Sequence, residues 1–345
     1  MNIESREIIN NWTLYTLTND HNMSVSLLDF GGIITNISVP NRNKKVENVV
    51  LGYKNISDYV DNPNYLGAIV GRVAGRIQNA SFILDGKTHT LETNEGVHHI
   101  HGGSVGFHQV IWTAHPFQTA ETVGVRLTHT SPDGEGGYPG NLEVSVTYTL
   151  TNKNELILDY SATTDKSTAL SLTNHSYFNL SGDLAETIHN HHVTIDSDEF
   201  IELDKDLIPT GKKIHVANTP FDLRSGRYLA DGISSTSNQN LIANHGYDHY
   251  FIFNQKGQKN VEVKEETSGR IMSIKSNQPG LVMYTANTLN EGIELAEGYS
   301  KPYLGVCFET QASPASLHHE GFPTVVLNAD EIYEKQTVFS FSSEA

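Results

Sequence analysis

Residues 142–160 read LEVSVTYTLTNKNELILDY, and their spacing decides the fold class. Leu142, Val144, Val146 and Tyr148 alternate with polar residues, Asn152-Lys153-Asn154 supplies a turn, and Leu156, Leu158 and Tyr160 resume the alternation. Successive side chains of an extended chain point to opposite faces, so a period of two gathers these apolar groups on one side. On a helix the same residues would scatter around the circumference. The stretch therefore predicts an antiparallel hairpin.

The same grammar recurs along the chain. Asp85-Gly86 separates two short runs between Ser81 and Leu91, and Ser268-Gly269 and Pro279-Gly280 punctuate three runs between Val261 and Tyr284. Such dipeptides favour turns because Gly tolerates left-handed backbone and Pro presets φ. Helix signals are few and short, at Ile56 to Val60 and Leu229 to Ser234. No low-complexity linker or regular repeat divides the chain, so the expectation is one domain over residues 1–345. Many strands with few helices point to an all-β fold, a large antiparallel β-sandwich.

Composition narrows the partners. The 345 residues carry 23 Lys plus Arg against 40 Asp plus Glu, a formal charge of -17. That charge repels phosphate backbones and anionic lipid, so neither nucleic acid nor a membrane is expected. A single cysteine, Cys307, allows no intrachain disulfide and no multi-cysteine zinc site. The start, MNIESREIINNW, lacks the basic and apolar regions of a signal peptide. The reading is a soluble cytoplasmic protein.

Five stretches concentrate polar chemistry. GRVAGRIQNA holds Arg72 and Arg76, whose spacing puts both on one side of an extended chain, either as surface groups or as donors to an oxygen-rich ligand. TNEGVHHIHGG holds His98, His99 and His101; adjacent His98 and His99 point apart and no carboxylate completes a familiar spacing, so no metal is expected. SLTNHSYFNL would place Thr173, His175, Tyr177 and Asn179 on one face, either a solvated sheet surface or a pocket wall. NHGYDHYFIF carries Asp248, a turn residue or a pocket residue. In YLGVCFETQAS, Cys307, Glu309 and Gln311 face away from Val306 and Phe308. A glutamate in an apolar strand pairs with a cation, hydrogen bonds in a pocket or acquires a raised pKa.

A carboxylate and an imidazole can divide base and acid roles near neutral pH. No nucleophile elbow, Walker loop or dinucleotide fingerprint competes with them. Cofactor-free proton transfer is the reaction type these residues allow, in a pocket whose hydroxyl, amide, guanidinium and carboxylate groups suit a sugar. The residues alone do not choose the reaction.

Beyond that point the sequence resembles a known family. TNHSYFNL, with GRVAGRI, IHGG, GYDHYF, PGLVMYTAN and FETQ in family order, is similar to the aldose 1-epimerases, also called galactose mutarotases, from DFGGIITNISVP to near the C-terminus. The resemblance implies a galactose mutarotase-like β-sandwich that interconverts α and β anomers of free sugars, glucose and galactose among them, without a cofactor. It implies Glu309 as the base on the C1 hydroxyl, His175 as the acid on the ring oxygen, and Arg76, His101 and Asp248 as ligands to the sugar. Tyr177 and Asn179 would support His175.

Two departures bear on sugar preference. Many members have Asn where this chain has Gly75, and many have Gln where it has Val282. The stretch ASPASLHH after FETQ is also unusual, and nothing in the sequence explains it. Competing readings are a noncatalytic sugar-binding module, a glycoside hydrolase using Asp248 and Glu309, and an epimerase for hexose 6-phosphates or disaccharides. His189, His191, His192, His318 and His319 are expected at the surface or in hydrogen bonds, without a role in the reaction. Whether the chain forms a homodimer is not legible.

Overall fold

A computed structural model describes residues 1–184, 186–254 and 259–344. The hairpin of residues 142–160 is present as strands Leu142–Thr151 and Glu155–Thr164, with Asn154 in the left-handed conformation (φ 58°) that closes the turn. It forms part of a nine-stranded antiparallel sheet that also contains Thr122–Ser131, Tyr333–Ser343, Arg270–Ser276 and Val261–Glu265. A six-stranded antiparallel sheet orders Tyr177–Phe178, Val306–Gln311, Gly280–Tyr284, Asp248–Ile252, Glu199–Leu203 and Pro209–His215. A five-stranded sheet is built from the first 48 residues.

The two large sheets pack face to face, the arrangement that period-two patterning favours. Val146, Tyr148, Leu158, Met272 and Phe339 from the first sheet share one buried apolar cluster with Leu281, Met283, Val306 and Phe308 from the second. Phe178 links them, its ring 5.4 Å from Phe339 and 6.4 Å from Phe308. The hairpin at Ser81–Leu84 and Lys87–Thr90 forms around Asp85 and Gly86, both at positive φ.

Two expectations need correction. Of the two turns between Val261 and Tyr284, Ser268-Gly269 joins paired strands, but Pro279-Gly280 does not: Gly280–Tyr284 crosses to the six-stranded sheet. SLTNHSYFNL is not one continuous strand. Thr173–Asn174 pairs with Ile69–Val70, Tyr177–Phe178 pairs with Cys307 and Val306, and His175 lies between these two short pairings. Helices are short, at Leu229–Ile233 as expected and additionally at Asn238–Ile242.

Arg72 is a structural residue. Between it and Arg76 the chain is not extended, since Gly75 has φ +85°, so the two guanidinium groups part company. Arg72 is 3% exposed, and its guanidinium donates to the carbonyls of Ser131, Pro132 and Pro139 and to the hydroxyls of Ser131 and Thr168. Burial lowers its pKa to about 10, which leaves it charged at neutral pH. Arg72→Met retains length but strands several buried acceptors, and should cost about 3 kcal/mol. Urea unfolding measures this; an unchanged midpoint would contradict the assignment.

Candidate active site

The six-stranded sheet has two unlike faces. One carries Leu281, Met283, Val306, Phe308 and Phe251 into the core. The other carries rows set by register: Tyr250, Val282 and Glu309 lie abreast, and so do Asp248, Tyr284 and Cys307. This second face is the floor of a cleft of about 220 Å³, whose wall includes Tyr65, Arg76, Glu95, His101, His175, Tyr177 and Gln311. All five residues expected from the sequence, Glu309, His175, Arg76, His101 and Asp248, therefore line one cavity.

His175 is fixed through its backbone, which donates to the Ala68 carbonyl and accepts from the Gly67 amide. Its Nε2 lies 3.6 Å from Glu309 Oε1, and its Nδ1 lies 3.6 Å from Cys307 Sγ. Both residues are at most 5% exposed. Burial lowers the His175 pKa to about 4, partly opposed by its own backbone carbonyl. Burial also raises the Glu309 pKa well above the ordinary carboxyl range; Asp248 reinforces that shift and Arg76 opposes it. Burial thus disfavours both charges of the pair, and a proton the two share is better placed on the carboxyl than on the imidazole.

Arg76 and His101 arrive together because Arg76–Ile77 pairs with His99–Ile100. The Gly75 amide donates to His101 Nδ1 at 3.2 Å, and the His101 amide donates to the Gly75 carbonyl, also at 3.2 Å. The turn that follows needs glycine at position 102, where φ is +86° and a Cβ would sit 1.9 Å from the Gly71 carbonyl oxygen. With Nδ1 accepting, the neutral ring carries its proton on Nε2. Burial, then the neighbouring His175 and Arg76, keep His101 neutral by pushing its pKa well below the usual value.

Nitrogen and oxygen atoms of His101, His175 and Glu309 approach within 4.8 Å of one another, a spacing that would suit a metal. The His101 tautomer argues against that use, since a ring presenting N–H at Nε2 and a hydrogen-bonded lone pair at Nδ1 has no free ligand atom. His98 and His99 are placed elsewhere: His98 Nδ1 accepts the Asn79 amide, and His99 bonds the Glu92 carbonyl and the Tyr138 hydroxyl.

Arg76 bridges two acids, with Nη1 3.4 Å from Asp248 Oδ2 and Nη2 3.3 Å from Glu95 Oε1. Burial opposes its charge, but Asp248 and Glu95 outweigh that and raise its pKa. Among the described residues its Nε makes no hydrogen bond, and neither does Gln311 Oε1. One free donor and one free acceptor on cleft residues match the two-way bonding of a sugar hydroxyl.

Some cleft residues escaped the sequence reading. Gln311 shares the Glu309 face, as its position two residues after Glu309 on the same strand requires, although the sequence assigns it no role. Tyr65 packs its ring 4.7 Å from both His101 and His108 at a backbone φ of 55°, which local sequence does not announce. Of the two residues expected to support His175, only Tyr177 does so, with its ring 5.1 Å away and its hydroxyl donating to the Asn64 carbonyl. Asn179 instead ties the Glu186 and Leu304 carbonyls. The departures are both at the cleft: Gly75 and Val282 line it, and Val282 sits abreast of Glu309.

The chain is similar over most of its length to known proteins. A model of the aldose 1-epimerase family matches residues 13–340. Galactose mutarotase from Bos taurus is 39% identical over 323 residues, covering 93% of this chain and 91% of the relative. Maltose epimerase from Levilactobacillus brevis is 35% identical over 329 residues, covering 95% and 94%. The crystal structure of galactose 1-epimerase from Lactobacillus acidophilus superimposes with a TM-score of 0.88 at 30% identity, covering 100% of this chain and 99% of that one.

Proposed function

Because this chain belongs to the aldose 1-epimerase family, we propose that Glu309 and His175 carry out the anomer interconversion of hexoses that its relatives' names describe, with Arg76, His101 and Asp248 holding the sugar. The protein is a carbohydrate epimerase. In the proposed sequence the Glu309 carboxylate takes the C1 hydroxyl proton, the bond from C1 to the ring oxygen breaks, and its electron pair goes to the ring oxygen. That oxygen takes a proton from His175. Rotation about the C1 to C2 bond and the reverse transfers close the other anomer.

The observation that carries this reading is the buried Glu309–His175 pair at 3.6 Å on the cleft floor. Carboxylate with imidazolium, which attacks the ring form, contains the same number of protons as carboxyl with neutral imidazole. The latter is the arrangement left once the ring has opened, and burial favours it. The pair is thereby poised to return the proton and close the ring. His101, donating from Nε2, and the free Arg76 Nε would orient the substrate hydroxyls. Asp248 is occupied by Arg76, which suits a binding role better than that of a second glycosidase carboxylate.

Polarimetry on freshly dissolved α-galactose and α-glucose tests the activity. A faster approach to the same final rotation, abolished by heat, is expected; unchanged kinetics with both sugars and with maltose would overturn the reading. The pH profile should be bell-shaped. Below about 4, His175 gains a second proton for the pair and the base is lost, so the rate rises as pH climbs through that limb. Above the raised Glu309 limb the pair holds no exchangeable proton and the rate falls. A flat profile, after subtraction of the uncatalysed rate, would refute the shared-proton pair.

The single cysteine, Cys307, is free and buried, which suits a reducing compartment such as the cytoplasm. Among the described residues no helix is long and apolar enough to cross a membrane.

A further inference from the structure

The mechanism leaves Glu95 without a part. It lies in the loop before His98, lines the mouth of the cleft and is 45% exposed. One carboxylate oxygen meets Arg76 Nη2 at 3.3 Å, while the other makes no hydrogen bond among the described residues. Arg76 is the only Lys or Arg among the described residues that line the cleft, and it is already held between Glu95 and Asp248. The cleft thus has one permanent cation for two flanking acids, before the catalytic carboxyl is counted. The chain as a whole, these groups included, carries a formal -17, whose field draws cations toward the opening and repels anions.

This charge inventory selects among sugars of the same shape. A ring with its anomeric carbon at Glu309 and His175 would share the cleft with Arg76, Asp248 and Glu95, the other charged side chains that line it. A phosphate or carboxylate there meets a guanidinium already neutralised and two like charges, an unfavourable juxtaposition in a partly desolvated site. An ammonium group meets the free Glu95 oxygen, a charge-assisted hydrogen bond.

We propose that Glu95 is a specificity-determining acid of this cleft: besides neutral hexoses, it admits amino sugars in their ammonium form and turns away hexuronates and sugar phosphates. The inference rests on the anomer interconversion proposed for this same cleft.

The test compares kcat/KM for galactose, galactosamine and galacturonate, followed by polarimetry below the pKa of the galactosamine amine, in wild type and Glu95→Gln. In wild type, galactosamine should be turned over at least as efficiently as galactose, and galacturonate at least about tenfold less efficiently. Glu95→Gln should lower the galactosamine-to-galactose ratio by about tenfold and raise the galacturonate ratio, with both effects shrinking as salt is added. Ratios referred to galactose in the same preparation remain informative if the variant loses stability. Efficient turnover of galactose with no turnover of galactosamine, or ratios indifferent to Glu95→Gln, would overturn the assignment of Glu95 alone. Absence of galactose turnover in wild type would overturn the underlying reading and this inference with it.

Discussion

Glu309→Gln should lower kcat for galactose mutarotation by about a thousandfold and leave KM within a few-fold of wild type. The amide has nearly the same shape as the carboxyl, and the strand that carries it is held by backbone pairing to Gly280–Tyr284, which does not depend on the side chain. Arg76, His101 and Asp248 reach the cleft from other elements, so the hydroxyl contacts proposed for them persist. What the variant lacks is a group able to take the C1 proton. General-base catalysis is worth about 10²–10⁴ in rate, and a thousandfold corresponds to about 4 kcal/mol of transition-state stabilisation. The split between kcat and KM matters because damage to binding alone would move KM. Polarimetry for turnover and calorimetry for galactose binding together check the prediction, and turnover within tenfold of wild type would sink the assignment.

Much of this architecture is written in local pattern. Alternation in Leu142–Thr151 and Glu155–Thr164 marks the strands because one face of each is buried against the second sheet, and residue type then records geometry. The same logic separates Glu309 and Gln311 from Val306 and Phe308. It fails where the chain does not stay extended. Arg72 and Arg76 would share a side only in a regular strand, and the left-handed turn at Gly75 sends one into a hydrogen-bonded hub and the other into the cleft. In SLTNHSYFNL the entire segment is buried, so a polar face there does not mean a solvated one. Thr173 and Asn179 follow the alternation yet lie away from the cleft. The functional neighbours of His175 come from elsewhere in the chain: Tyr65, His101 and Cys307 meet it only through tertiary packing. The family resemblance implies roles for seven residues, but not for the Gly75 amide that fixes the His101 tautomer or the second acid on Arg76.

His175→Asn should also cost about a thousandfold in kcat, and it carries a distinctive pH signature. In the proposed mechanism the active form is the pair with one exchangeable proton, so wild-type activity should decline as pH rises past the Glu309 limb. Remove the imidazole and the remaining catalyst is the Glu309 carboxylate, with solvent left to protonate the ring oxygen. The residual rate must then rise through the Glu309 pKa, because only the ionised form can act as base. The sign of the pH dependence on that limb therefore reverses, and the acid limb near 4 disappears with the group that produced it. A role confined to packing would scale the whole profile down without changing its shape. Asn is smaller and polar, so His101 and Tyr65 lose a ring neighbour but no charged partner. Mutarotation rates of α-galactose from acid to alkaline pH, corrected for the spontaneous reaction, separate the two cases: a reversed limb identifies His175 as the partner of Glu309 in proton transfer, and an unchanged bell at reduced height rules it out.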